Sequence, residues 1–317
     1  MIDRVVPVLC LIAAPVFAAP PVLNWPIDCT LGETCFIQQY MDLDDTNGVR
    51  DFAGGHVTYD GHKGTDIRLT TRKAMQAGVN VLAATAGRVK GLRNDMVDRL
   101  VRTDADRAAI NGKDCGNGVL IAHADGWETQ YCHMKQGSIG VVKGQMVQAG
   151  AVLGQVGLSG RTQFPHVHIA VRKDGQKVDP FAVGANLWAP MLQDALAYQP
   201  TQIINLGFAD GAIKMDDIAT GKFESFTPHP TDPALVAYVR AINMAAGDKI
   251  RLTLTGPQGQ IITKTYDPVN KSKAQQMYYT GKKRPTGGWP MGAYQARAEV
   301  LRGGAVVDAQ TRNSSTE

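Results

Sequence analysis

At 317 residues, with 44% apolar and 20% charged side chains, the chain can bury two cores and is too apolar to be mainly disordered. Its formal charge of +4 is mild, and its lysines and arginines are scattered rather than gathered in runs of five or six, which argues against a nucleic-acid partner.

The first element is "MIDRVVPVLCLIAAPVFAAPPV", one arginine ahead of a short apolar run that ends in small residues. It reads as a secretory signal peptide over residues 1–18, cut near Ala18 or Ala19. The run is short for a bilayer and contains Pro7 and Pro15; nothing later is long and apolar enough to cross one, so no stable membrane span is expected after cleavage. Cleavage removes Cys10 and leaves four cysteines, an even number that suits an oxidising compartment. Of the three ways to pair them, Cys29 with Cys35 across "CTLGETC" and Cys115 with Cys132 across a hairpin are expected. A structural zinc site built from all four is disfavoured, because no CxxC spacing occurs. Residues 19–55 form an N-terminal segment that holds the first of these bridges.

Residues 56–198 read as one all-β domain, an antiparallel sheet or sandwich, since short alternating runs are separated by frequent glycine turns. Within it "GVLIAH" and "WETQYCH" flank "ADG", where Asp125-Gly126 suits a tight reversal. Residues 96–113 are the exception: Val97, Leu100, Val101 and Ala108 give a weak helical spacing, read as an insertion with a short helix. Residues 199–317 form a second all-β unit that resembles a small immunoglobulin-like sandwich, with hairpins around "GPQGQ" and Gly303-Gly304. Its His229 stands alone beside two prolines, so a binding or spacer role is expected there.

Chemistry concentrates in three short stretches of the first domain. In "TYDGHKGTDIRL", His62 and Asp66 are both good zinc ligands, yet four residues of straight strand would hold them roughly 13 Å apart. They can share an ion only if the chain curls, which Gly61 and Gly64 permit. In "FPHVHIAVR", His166 and His168 lie two apart on a strand and therefore share a face, separated by roughly 6.6 Å. One of them can bind a metal while the other lies beside its water. In "TQYCHM", His133 ends the strand that a Cys115–Cys132 bridge would stiffen.

These stretches, together with "VLAATAGRV", "GNGVLIAHADGWETQYCHM", "VKGQMVQAGAVLGQVGLSG" and "PHVHIAV" in this order from Tyr59 to Pro180, resemble the zinc metallopeptidases of the M23 family, also called LytM or lysostaphin-type peptidases. The resemblance implies one zinc per chain, with His62, Asp66 and His168 as its ligands and His133 and His166 as uncoordinated catalytic histidines. This chain departs from the family pattern at Val167, where leucine is usual, at "IAV" after His168, and at "TQFPH"; these are expected to touch the groove wall and alter specificity, and none of them removes a ligand.

The chemistry accords with that assignment. Three protein ligands leave a fourth position for water, and zinc can bring the pKa of that water to about 7. No HExxH glutamate is present, so the neighbouring histidines, with ordinary pKa values near 6.5, are the groups available to move protons. His166 is expected to orient or deprotonate the water and His133 to bond the oxyanion, or the reverse.

The implied function is that of a secreted, periplasmic endopeptidase acting on peptide cross-links of peptidoglycan, with the C-terminal unit free to bind wall or a protein partner. The alternative is a non-catalytic, wall-binding LytM-like activator of another hydrolase; relatives of that kind typically lose zinc ligands. "VKGQMVQAGAVLGQVGLSG" alone looks like half a biotinyl- or lipoyl-carrier barrel, but the MKM or DKA triplet of a carrier is missing. His123 is expected to be solvated and His56 to be a loop residue, while Tyr59 and Tyr131, beside the site, either touch substrate or pack.

Overall fold

The computed structural model describes residues 19–182 and 186–316; the expected signal peptide at 1–18 lies outside the described residues. In the first part of the chain the strands are β1 (Cys35–Gln39), β2 (Thr65–Leu69), β3 (Asn80–Leu82), β4 (Gly87–Arg93), β5 (Asn117–Ala122), β6 (Trp127–Met134), β7 (Met146–Val147), β8 (Val152–Gln155), β9 (His166–Lys173) and β10 (Gln176–Val178). The main sheet runs β1-β2-β9-β6-β5-β4-β7, with β10 added beside β9, and β3 pairs β8 in a separate ladder. Every pairing is antiparallel.

The pleat decides which side chains meet. On β2 and β9, Ile67, Leu69, Val167 and Ile169 are buried in the core of this part. The alternate positions Asp66, Arg68, His166 and His168 therefore share the opposite face. Register sharpens this: Asp66 lies opposite His168, and Arg68 opposite His166. On its other side β9 pairs with β6, where Cys132 faces His168 and places His133 at the strand's end. Both expected bridges, Cys29–Cys35 and Cys115–Cys132, are formed. The hairpin reverses at Asp125 and Gly126, with φ of 51° and 73°.

Two short helices interrupt the strands, α1 (Arg72–Ala77) and α2 (Asp104–Ala109). The insertion carries its helix later than the spacing of Val97, Leu100 and Val101 implies, because residues 96–101 are stitched across neighbouring loops instead. Met96 N–H donates to the Asn117 side chain at 2.8 Å, and Asp98 accepts from Leu158 N–H at 2.6 Å and Gln136 N–H at 2.9 Å. The helix starts only where Thr103 and Asp106 form a reciprocal capping box.

The second part comprises β11 (Gln202–Ala209), α3 (Met215–Thr220), β12 (Ala234–Met244), β13 (Lys249–Gly256), β14 (Gly259–Thr265), β15 (Lys273–Lys283), β16 (Gly292–Arg302) and β17 (Ala305–Thr316). Sheets ordered β11-β12-β15 and β14-β13-β16-β17 face each other across an apolar core that includes Phe208, Val239, Leu252, Trp289 and Tyr294. The chain crosses between the sheets after β12, after β14 and after β15, as an immunoglobulin-like sandwich requires. The all-β reading holds for both parts.

The two parts meet along β1 and β2. Phe36, Ile204 and Ile242 form a small apolar cluster there. Around it Asn243 donates to the Gln38 carbonyl at 2.8 Å, Gln38 donates to the Ala274 carbonyl at 2.9 Å, and Arg240 donates to the Thr70 carbonyl. Among the described residues, no helix is long and apolar enough to cross a membrane.

Candidate metal centre and cleft

The distance problem posed by His62 and Asp66 is solved by two glycines. Gly61 has φ of 73°, a left-handed angle that turns the chain back. At Gly64, a Cβ would lie 2.4 Å from the Ile169 carbonyl oxygen and 2.8 Å from His168 Nε2, so only glycine lets the loop approach β9. Asp42 braces the turn by accepting from Gly61 N–H at 2.9 Å. The curl brings His62 Nε2 to 3.2 Å from Asp66 Oδ1.

His168 completes a triangle, with Nδ1 2.8 Å from Asp66 Oδ1 and 3.2 Å from His62 Nε2. A tetrahedral zinc with bonds of about 2.0–2.1 Å has edges of roughly 3.3 Å, so these residues fit the ion. His62, Asp66 and His168 are a group of three that could hold a metal among the described residues. The tautomer of His62 is fixed from behind. Its Nδ1 lies 2.6 Å from the Tyr40 carbonyl, which can only accept, so Nδ1 carries the proton and Nε2 offers its lone pair. Burial alone would lower the His62 pKa, but Asp66 outweighs burial and raises it. For Asp66 burial acts upward, and the surrounding histidines reverse it, holding the carboxyl well below its ordinary range.

His133 and His166 stand beside this triangle, their rings 4.6 Å apart. His133 has φ of 63°, a left-handed backbone that costs a non-glycine residue about 1–2 kcal/mol. It is held there by its N–H bond to the Cys115 carbonyl at 2.8 Å, by the adjoining Cys115–Cys132 bridge, and by its Nδ1, which donates to the Ser159 carbonyl at 2.8 Å. His166 Nδ1 donates to the Phe164 carbonyl at 2.9 Å, and its Nε2 lies 3.5 Å from Asp66 Oδ1. In both rings Nδ1–H is thus committed to a backbone carbonyl, leaving Nε2 as the working nitrogen. Burial lowers the pKa of both, and lowers His133 well below the usual imidazole value with help from His166 and His168. Both rings are therefore neutral at pH 7 and able to accept a proton.

The remaining sequence candidates separate cleanly. Tyr59 is 49% exposed, lies 4.6 Å ring to ring from His62 and lines the cleft; Tyr131 is buried and accepts from Ala84 N–H at 2.8 Å, so it packs. His123 is not simply solvated, since its two nitrogens bond the Ala86 carbonyl at 2.7 Å and the Thr129 hydroxyl at 2.9 Å. His56 does not line the cleft. The cleft, about 290 Å³, is lined by Thr162, Gln163 and Phe164 of "TQFPH", as expected, whereas Val167 does not reach the groove wall because it is buried in the core on the opposite face of β9. The cleft also exposes residues that no motif singled out, Arg68, Arg161 and, from the second unit, Ala274 and Gln275. Arg68 had a signal, a charged residue between Ile67 and Leu69 on the same face as Asp66; the Ala274–Gln275 wall had none.

An antiparallel sheet that presents a His–Asp–His set with two neutral histidines beside it defines a candidate mononuclear metal centre of the hydrolytic kind. Residues 60–180 match the family model for Peptidase family M23, which bears out the resemblance read from the motifs over this segment. Among curated proteins, the chain is 43% identical over 68 residues to the DD-carboxypeptidase/endopeptidase Mpg of Neisseria meningitidis serogroup B, a match covering 22% of this chain and 15% of that one. It is also 43% identical over 74 residues to the cell division protein DipM of Caulobacter vibrioides, covering 22% and 12%. The chain thus spans well under a fifth of the length of these relatives. Among solved structures, the catalytic domain of the prophage-encoded M23 protein EnpA from Enterococcus faecalis, in a mutant form, is 25% identical, with 54% of this chain and 97% of that one covered at a TM-score of 0.31.

Proposed function

We propose that the chain is an exported, periplasmic zinc metalloendopeptidase, with one zinc per chain, that hydrolyses peptide bonds in peptidoglycan cross-links. The observation that carries this reading is the convergence of three ligand atoms at 2.8–3.2 Å from one another beside two buried histidines with committed Nδ1–H groups. His62, Asp66 and His168 hold the zinc, which when bound polarises a carbonyl and acidifies water. His166, closer to Asp66, accepts a proton on Nε2 and returns it to the leaving amine. His133 bonds the developing oxyanion when its own Nε2 carries a proton, and the two histidines can exchange these parts. We assign residues 19–55 to an N-terminal segment, 56–198 to the peptidase domain and 199–317 to an accessory domain that binds wall or a protein partner.

The testing experiment incubates residues 20–317 with purified peptidoglycan and measures new amine termini, with and without chelator and with zinc restored. Release that chelation stops and zinc restores is the expected result. A folded, zinc-loaded protein that releases nothing overturns the peptidase reading in favour of a non-catalytic, wall-binding activator.

A further inference from the structure

Arg68 is among the largest fully buried side chains described, at 2% exposure, and it lines the cleft floor. It follows Asp66 by two positions on β2, facing His166 across the ladder. Its guanidinium donates to the Gln38 side-chain oxygen and to the Leu69 carbonyl at 3.4 Å, and lies 4.5 Å above the Phe164 ring. That ring in turn lies 4.6 Å from the ring of His166. All these partners are neutral. The charged neighbour acting on Arg68 is Arg240, which has the same sign. A guanidinium stays protonated in a protein, and burying it without an anion is costly.

The rest of the cleft lacks that anion as well. Its lining contains one carboxylate, Asp66, already committed to the donor set, against Arg68, Arg107 and Arg161. Arg107 is neutralised by Asp104 at 2.5 Å; the exposed Arg161 has no acidic partner within 4.0 Å among the described residues. Gln38, which anchors Arg68, is bonded to the Ala274 carbonyl, so the second unit walls off this end of the cleft.

We propose that Arg68 binds a carboxylate of the substrate at the walled end of the cleft, making this a site for peptides with a free carboxyl within one or two residues of the scissile bond. The spacing follows from the strand: Arg68 lies roughly 6.6 Å along β2 from Asp66, about two residues of extended peptide. The carboxyl comes from a chain-terminal residue or from the diamino acid of a cross-link. The assignment rests on the peptidase reading for its substrate, though binding can be measured without turnover.

The test uses the unaltered full-length mature chain and a synthetic cross-linked stem peptide in three forms: free acid, amidated at the diamino acid carboxyl, and amidated at the chain-terminal carboxyl. Equilibrium binding is titrated with and without zinc, and KM and kcat are measured with zinc. Amidation of one carboxyl is expected to weaken binding at least tenfold and to raise KM more than it lowers kcat, which also identifies the source of the carboxylate. Equal affinity for all three forms, including no measurable binding of any, overturns the proposal. A retained acid preference without turnover would sink the peptidase reading and leave the carboxylate site standing. An Arg68→Gln chain shown by thermal melting to be folded should bind acid and amide alike, with Arg68→Lys partly restoring the preference; an Arg68→Gln chain that still discriminates also overturns the assignment.

Discussion

The two units treat buried charge differently. In the second sandwich each buried carboxylate has a cation: Asp248 accepts from Arg302 at 2.8 Å through both oxygens, and Glu299 meets Arg251 at 2.6 Å and Arg297 at 3.1 Å. In the first unit, His62, Asp66 and His168 converge on a shared point, and Arg68 lies buried among neutral partners. A paired charge is compensated within the fold and costly to break, whereas a buried charge without a counter-charge on a cleft marks a candidate binding site. The difference holds for the carboxylates; among the arginines, Arg240 of the second unit is also buried with neutral partners, Asn205 and the Thr70 carbonyl, but unlike Arg68 it does not line the cleft.

Substitutions can break that contrast or sharpen it. The largest effect is expected from His168→Ala, which removes one corner of the triangle: bound zinc, read by elemental analysis, should fall close to zero along with all chelator-sensitive cleavage. His133→Ala should keep its zinc and still lose about 10²–10⁴ in turnover, the usual contribution of a positioned proton-transfer group. Undiminished turnover there would remove His133 from the chemistry. In the second unit, Asp248→Asn should cost about 1.5–3 kcal/mol in urea unfolding by weakening the charge-assisted bonds from the part-exposed Arg302, yet leave zinc content and KM unchanged. A changed KM would mean that the scaffold pairs also tune the cleft.

The smallest effect concerns a buried acid outside both classes. Burial pushes Asp179 up to about 6, and its Oδ2 is buried without a hydrogen-bond partner. Between the ordinary value of 3.8 and about 6 the folded chain holds a proton that the unfolded chain has lost, so stability should fall as pH rises through that window and level off above it. Asp179→Asn should flatten this slope, which amounts to no more than about 3 kcal/mol, as read from melting temperatures against pH.

Much of this was legible in the sequence because the informative signals are local. The two-residue spacing of His166 and His168, the glycines around His62, and the Asp125-Gly126 turn each follow from backbone geometry over a few residues. What was not legible depends on pairings between distant segments. The insertion's helix starts at Asp104 because Asp98 is tied to Leu158 and Gln136, partners that no periodicity reveals. His123 looked like a surface residue until β4 brought the Ala86 carbonyl beside it. The position of Arg68 could be read, but its lack of an anion emerged only once the second unit had packed against Gln38.

The β2–β9 pairing has a kinetic consequence. His168 meets Asp66 across 102 residues of sequence and His62 across 106, so the third corner of the triangle is absent until nearly 170 residues are available and a long loop has closed. Contacts this distant in sequence form slowly, and they form late when a chain emerges from its N-terminus. A partly folded chain can present His62 and Asp66 but not the complete donor set, so whatever metal affinity this triad has is a product of finished folding.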